Sequence, residues 1–208
     1  MKTIFKIIFL NLFSLITLCS CAQKPIAHWD EKTDVFTSQR YNLRWDLQDL
    51  GGWRIAEEHR LPKNMIFCAA SKEDIISIAI SVFDAPSNAE ELIKSNNKDF
   101  VNGLIDSSLR IKEIFPGIIS KQFISDSCKF LFKDAIRFGT MIYVQDSRLG
   151  TDEETPFLFG GYAFINKNKL IVPLIILPYS WVEEYGDEAI NMFFERFSYI
   201  NASNELVN

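Results

Sequence analysis

Residues 157–176 read FLFGGYAFINKNKLIVPLII, and this stretch decides the fold that we predict. Its two apolar runs, Phe157–Ile165 and Leu170–Ile176, are rich in the β-branched and aromatic residues that favour strands. The four residues between the runs, NKNK at 166–169, tolerate the positive φ angles of a tight turn. The stretch therefore predicts a β-hairpin, and a succession of hairpins indicates an antiparallel sheet.

Similar patterns occur on the N-terminal side of this hairpin. Apolar and polar residues alternate over Tyr41–Leu47, which is typical of a half-buried strand. Met65–Ala70 and Ile75–Phe83 are apolar runs separated by a short polar segment, so they predict a second hairpin. Further strands are predicted at Ile118–Ile124, Phe130–Phe138 and Thr140–Val144.

Two long helices are predicted, and each begins at a capping box, in which Ser and Glu side chains bind the backbone N–H groups of the first turn. The first begins at Ser87 and ends before Pro116, and Gly103 or segment 106–108 could bend or divide it. The second begins at Ser180, and one apolar face is formed by Tyr185, Ala189, Ile190, Phe193, Phe194 and Phe197. We therefore predict an α+β fold over residues 38–208, in which two main helices flank an antiparallel sheet in an α/β/α sandwich.

The first twenty residues predict a lipoprotein signal peptide. A short basic leader precedes the apolar run Ile7–Leu18, which is shorter than the roughly 20 residues that span a bilayer. Residues 18–21, LCSC, resemble the lipobox of bacterial lipoproteins, in which the last Cys is acylated. We therefore expect cleavage after residue 20 and lipid attachment at Cys21. The alternative is an ordinary signal peptide in which Cys21 is incidental.

Residues 21–37 are mixed and aperiodic, so we expect a tether, although His28 and Trp29 could dock on the domain. Several acyl chains on one Cys would anchor the protein stably, and a single chain would not. Loss of Lys2 and Lys6 on cleavage takes the formal charge from −5 to −7, so the surface should gain nothing from anionic headgroups. We therefore expect that the lipid holds the protein and that the folded domain does not lie on the bilayer. Acidic sorting signals are absent directly after Cys21, which favours the periplasmic side of the outer membrane.

The composition is that of an ordinary globular protein. Apolar residues make up 48% of the 208 residues and charged residues 24%, which excludes a disordered chain or a disulfide-dense miniprotein. Asp and Glu number 27 against 22 Lys and Arg, and this balance argues against a nucleic-acid partner.

Few residues suggest chemistry. His59 has no recognisable partner that could orient it as a base, so we expect a solvated histidine. Segment 146–154 is acidic but lacks the EF-hand spacing, so we expect a solvated loop rather than a calcium site. Cys68 and Cys128 could form a disulfide in an oxidising periplasm, or could remain two buried thiols. We predict no catalytic residue, no metal and no cofactor.

The order of elements resembles the Mog1/PsbP-like sandwich, a family that includes DcrB-type bacterial lipoproteins. The matching segments are Tyr41–Trp53, Met65–Phe83, the helix at Ser87, and Gly161–Val172 running into the helix over Glu183–Phe197. This resemblance covers about residues 38–200 and departs at Gly51-Gly52, where the family usually has a Pro shortly before the early Trp. It implies a binding or accessory protein and carries no catalytic motif.

We therefore expect a lipid-anchored, non-enzymatic accessory protein that binds an envelope protein partner. One alternative is a carrier of a lipid or small apolar ligand, with a cavity lined by Phe residues of segments 157–164 and 193–197, although such spacings are more often core. The other is an envelope hydrolase, which would need a polar cluster in a cleft, such as His59 beside a carboxylate.

Overall fold

A computed structural model of the chain describes residues 27–48, 50, 52–71, 76–109, 119–144 and 155–200. Its four-stranded sheet, here called the small sheet, joins the two ends of this described chain. In spatial order the strands are β1 (His28–Asp30), β2 (Val35–Ser38), β3 (Leu43–Asp46) and β11 (Phe197–Tyr199), and all of them pair antiparallel. The predicted alternation is confirmed in β3, where Leu43 and Trp45 are fully buried.

The predicted tether over residues 21–37 is wrong from residue 28 onward. His28 pairs with Thr37 and Trp29 pairs with Phe36, so this segment adds two strands to the small sheet. Two adjacent apolar residues, Val35 and Phe36, are buried here, and so short a pair shows no periodicity from which a strand could be predicted. Cys21 and the predicted signal peptide lie outside the described residues.

The seven-stranded sheet, here called the large sheet, is also antiparallel. In spatial order its strands are β4 (Trp53–Ile55), β5 (Met65–Ser71), β6 (Ser77–Asp84), β10 (Lys169–Pro178), β9 (Thr155–Asn166), β8 (Lys133–Val144) and β7 (Ile119–Phe130). Both predicted hairpins are confirmed, since β5 pairs with β6 and β9 with β10. Lys167 and Asn168 form the second turn at φ angles of 49° and 58°.

The strand predicted over Phe130–Phe138 is wrong, because the chain reverses within it. Leu131 and Phe132, at φ angles of 49° and 62°, form a two-residue turn that joins β7 to β8. Such turns normally contain Asn or Gly, so two apolar residues gave no turn signal in the sequence.

Each predicted long helix is divided in two. The first becomes α1 (Ala89–Lys94) and α2 (Lys98–Leu109), and the second becomes α3 (Tyr179–Tyr185) and α4 (Glu188–Phe194). The breaks lie at Asn96 and Gly186, which both have positive φ angles, whereas Gly103 lies inside α2.

Neither predicted capping box forms. Helix α1 begins after Asn88 and α3 begins after Pro178, in both cases without a side-chain hydrogen bond from the residue before the helix. Phe197, predicted on the closing helix, lies in β11. A short 3₁₀-helix at Glu58–Arg60 lies between β4 and β5.

The two faces of the large sheet are covered differently. Ile93 of α1 and Val101 and Leu104 of α2 pack on one face. The small sheet and α4 cover the other, where Trp45 stacks on Phe194 at 5.7 Å between ring centroids. The predicted α+β architecture around an antiparallel sheet is therefore confirmed. The predicted α/β/α layering is not, because the small sheet together with α4 covers the second face, and the described residues form four short helices in place of two main ones. In the part of the chain that the structure describes, no helix is both long enough and apolar enough to cross a bilayer.

Candidate functional site

A cleft of about 390 Å³ between the two sheets is the candidate site, here called the aromatic cleft. Strands β1 and β4, which are outermost in their sheets among the described residues, both contribute to its walls. Its apolar lining comes from Ala27, Trp29, Phe36, Ile55, Ala56, Leu61, Pro62, Met65, Ile66 and Phe67.

Three aromatic rings form the base of the aromatic cleft. Phe67 lies in β5 and is almost completely buried. The ring of Phe36 lies against it at 4.4 Å between centroids, and Trp29 stacks on it at 5.6 Å with 24° between the ring planes. Trp29 is only half-buried, so the cleft presents part of an indole surface to solvent. Such a surface can pack against an apolar or planar group.

The outer wall is the segment between β4 and β5. The Ala56 N–H donates to the Cys68 carbonyl at 2.9 Å, and the Met65 N–H donates to the Pro62 carbonyl at 2.8 Å. These bonds fix both ends of the wall on the large sheet. Leu61 and Pro62 are therefore held beside the aromatic base.

The rim of the aromatic cleft carries both signs of charge. His28, Glu58 and Lys63 line it, and all three are exposed. This arrangement was not predicted, because it depends on the pairing of a segment expected to be a tether. The aromatic residues Trp29 and Phe36 in an otherwise polar stretch are the signal that could have pointed to it.

His59 lies outside this arrangement. Its Nε2 is 3.4 Å from the Glu57 carboxylate, and its side chain is 74% exposed. The Arg60 guanidinium also forms an ion pair with the Glu57 carboxylate, at 3.2 Å. His59 is exposed, as predicted, but the Glu57 carboxylate beside it is a partner that the sequence analysis did not predict. The pair is exposed and does not line the aromatic cleft.

Cys68 and Cys128 are free thiols, so the disulfide considered for them does not form. They lie on β5 and β7, and four strands of the large sheet separate these two strands. At about 4.8 Å per strand the cysteines are about 24 Å apart, far beyond the roughly 7 Å between Cα atoms that a disulfide allows. They also pack on opposite faces of the sheet.

Burial raises the pKa of both thiols. Segment 146–154, the acidic loop, lies outside the described residues. Within residues 27–200, as far as they are described, no three His, Cys, Asp or Glu side chains come together as metal ligands would.

The Phe residues considered for a lipid cavity fill the core instead. Phe159, Phe164, Phe193, Phe194 and Phe197 are all buried, and Phe157 packs beside them half-buried. A wider groove of about 1010 Å³ runs beside α1, and its lining includes exposed Asn88, Glu90 and Glu91. Such a polar groove suits water better than an apolar ligand.

No family model and no curated protein matches the chain. The solution structure of CyanoP, the cyanobacterial PsbP of Synechocystis sp. PCC 6803, is similar over 87% of this chain and 96% of that chain, at 9% identity and a TM-score of 0.52. A crystal structure of a protein of unknown function from Pseudomonas aeruginosa covers 80% of this chain and 91% of its own, at 9% identity. Its TM-score of 0.33 is too low to carry an argument. The similarity to CyanoP confirms that the chain has a PsbP-like fold.

Proposed function

We propose that the chain is a lipid-anchored accessory protein of the bacterial envelope, held through Cys21 on the periplasmic side of the outer membrane. In this proposal the aromatic cleft binds an extended segment of an envelope protein, and the chain itself catalyses no reaction. The observation that carries the proposal is the position of the cleft between two outermost strands, β1 and β4.

Outermost strands favour a polypeptide partner. Each presents backbone N–H and C=O groups to which another extended chain can add as a strand. Side chains alternate along such a chain, so every second one would point toward Trp29 and Phe67. Backbone pairing would supply affinity, and the aromatic cleft would select the side chains.

The residue types in the cleft fit this role. Trp is enriched among the residues that dominate protein interfaces, where it buries a large surface for a small loss of side-chain freedom. The opposite charges of Glu58 and Lys63 on the rim would help to fix the register of the bound segment.

The proposed anchor would place the cleft close to the membrane. Ala27, which lines the cleft, is six residues from Cys21, a distance of at most about 20 Å for an extended chain. Tethering both partners to one membrane raises their effective concentration, so even a weak contact would be occupied.

The test is site-specific photo-crosslinking in cells that express the full chain. A photo-reactive residue in place of Lys63 should give one dominant adduct with an envelope protein, and the same group in place of the distant, exposed Glu184 should not. Trp29→Ala should remove the Lys63 adduct, whereas the matched control Trp181→Ala, on α3, should leave it. Equal adducts from both positions, or an adduct insensitive to Trp29→Ala in a folded protein, would contradict the proposal.

The anchor is tested separately by mass spectrometry of the mature N-terminus. We expect a terminal Cys21 carrying a diacylglyceryl group. A mature terminus at another residue, without lipid, would refute the anchor and leave the cleft to be judged by crosslinking.

The volume of the cleft favours a second candidate, a small apolar ligand. At about 390 Å³ the cleft falls within the range of small-molecule sites. Solvent extraction and mass spectrometry of the purified protein would decide, because a carrier should yield one compound that Trp29→Ala protein lacks.

A further inference from the structure

The turn between β7 and β8 combines two unfavourable features in one residue. Phe132 is 99% exposed, and its φ angle is 62°. A bulky residue in this left-handed region is uncommon and strained, and a two-residue turn of this kind favours Asn and Gly. The β9–β10 turn, with Lys167 and Asn168, follows that preference more closely. Strain of this sort is typical of functional positions.

Three lysines, Lys94, Lys129 and Lys133, lie beside Phe132. Ala135 of β8 pairs with Phe164 of β9, so the β7–β8 turn and the β9–β10 turn lie side by side at the same end of the strands of the large sheet. We call this end of the large sheet the turn end. Its lysines are Lys94, Lys129, Lys133, Lys167 and Lys169.

The acidic residues at the turn end are fewer. Asp134 pairs with Lys129 at 2.5 Å and with Lys94 at 3.9 Å, and Asp84 pairs with Lys169. Glu90 and Glu91 lie nearby on α1. The five lysines thus exceed the four carboxylates here, in a chain whose formal charge is −5. Acidic residues are concentrated elsewhere, for example on α3, on α4 and in the turn between them, at Glu183, Glu184, Asp187 and Glu188.

The described chain begins on this same side of the domain. His28 pairs with Thr37 near the end of β2, and the chain then turns to Tyr41. The Tyr41 carbonyl accepts a hydrogen bond at 2.8 Å from the side chain of Asn166, at the β9–β10 turn. Ala27 therefore lies toward the turn end, the side that the proposed anchor would bring to the membrane.

We propose that the turn end is a membrane-contact element, in which Phe132 enters the lipid interface and the surrounding lysines contact anionic headgroups. An exposed apolar side chain with three lysines beside it and two more on the neighbouring hairpin matches the chemistry of an anionic lipid surface. A protein interface is a poorer match, because Lys is depleted there. The negative net charge that argued against headgroup binding does not describe this end of the molecule.

The test places an environment-sensitive fluorophore at residue 132. Phe132→Cys is labelled in residues 21–208 with Cys21→Ser, Cys68→Ser and Cys128→Ser, so that residue 132 carries the only thiol and no acyl chain is present, and this protein is mixed with vesicles. On vesicles that contain phosphatidylglycerol, the emission maximum of the label should shift to shorter wavelength, and its fluorescence should be protected from an aqueous quencher. Phosphatidylcholine vesicles or high salt should abolish both effects.

The matched control carries the same label at Glu184→Cys, which should stay accessible to the quencher on every vesicle. Equal accessibility of the two labels on anionic vesicles would overturn the proposal. Protection of residue 132 only after envelope proteins are added would also overturn it, in favour of a protein partner.

A charge variant that keeps Phe132 tests the lysines. Lys133→Glu with Lys167→Glu should weaken the anionic-vesicle interaction by about tenfold or more, whereas Lys32→Glu, in the β1–β2 turn, should have little effect. Unchanged vesicle binding in a charge variant with the wild-type melting temperature would contradict the proposal. These vesicle experiments use unacylated protein, so their outcome does not depend on acylation of Cys21. The turn end also shares no residue with the aromatic cleft, so failure of one proposal would not imply failure of the other.

Discussion

The Cα atom of Gly161 lies so close to the carbonyl oxygen of Pro173 on the neighbouring strand that a Cβ atom would overlap that oxygen. Gly161 is paired with Leu174 in the centre of the large sheet. A proline is unusual in a central strand because it has no N–H to donate to the ladder. The missing side chain of Gly161 allows β9 to approach β10 beside this proline.

Gly161→Ala should therefore destabilise the fold by at least about 2 kcal/mol, because the added methyl group meets backbone that cannot move without disturbing the sheet. Urea denaturation followed by circular dichroism measures the change. The matched control is Gly103→Ala, in α2, where a Cβ atom would meet nothing within 4 Å. That substitution should stabilise by about 0.5–1 kcal/mol, and equal effects at the two glycines would contradict the packing described here.

The start of α2 allows a second prediction. The Phe100 N–H donates to the side-chain Oδ1 of Asn97 at 2.8 Å, so Asn97 caps this helix. Asn97→Ala should cost about 1 kcal/mol in urea denaturation, and Asn97→Asp should retain most of the stability. Asn88→Ala is the control, because Asn88 precedes α1 without a side-chain cap. A cost at Asn88 equal to that at Asn97 would argue against the cap.

Tyr199 allows a third prediction. Its hydroxyl is buried and has no hydrogen-bond partner among the described residues, and burial raises its pKa to about 12. Tyr199→Phe should leave stability at pH 7 unchanged or raise it by up to about 1 kcal/mol, because the unsatisfied hydroxyl is removed. Exposed Tyr185→Phe should have little effect.

The alkaline limb of stability tests the same residue. Burial raises the pKa of Tyr199 in the folded protein from its ordinary value of 10.0 to about 12. The folded protein therefore keeps its full stability below pH 10 and loses stability as the pH rises toward 12, because the unfolded chain gives up the phenol proton first. The Tyr199→Phe protein should lose less stability than wild type over this range. Identical alkaline limbs would show that Tyr199 is not buried as described.

The two free thiols give a fourth prediction. Burial raises the pKa of Cys68 and of Cys128 above the ordinary value of 9.0, and the thiolate is the reactive form. Alkylation of the folded protein at pH 8 should therefore be slower than that of an unfolded control, and should accelerate only at higher pH. Reduction should not change the number of reactive thiols in urea; two additional thiols after reduction would show that the disulfide forms.

Local features of the sequence were sufficient for much of the large sheet. The hairpins around NKNK at 166–169 and between β5 and β6 follow from apolar runs beside polar turns, and these patterns need no knowledge of distant residues. The breaks at Asn96 and Gly186 were missed because a continuous apolar face does not reveal where the backbone turns.

The candidate site was missed for a different reason. The aromatic cleft requires Trp29 of β1 to meet Phe67 of β5, and no local pattern brings these residues together. The turn at Phe132 was missed because it breaks the residue preference on which turn prediction depends. Both features depend on tertiary structure or on departures from the usual pattern.

The small sheet has a consequence for how the protein is made. It pairs Leu43 with Tyr199 and Trp45 with Phe197. The Trp45 indole also donates to the Phe193 carbonyl at 2.8 Å, so residues about 150 positions apart complete one layer. Synthesis proceeds from the N-terminus, so this early apolar strand is exposed until the last segment of the chain has followed. Long sequence separation slows such closure, so β3 would stay uncovered longer than the strands of the local hairpins.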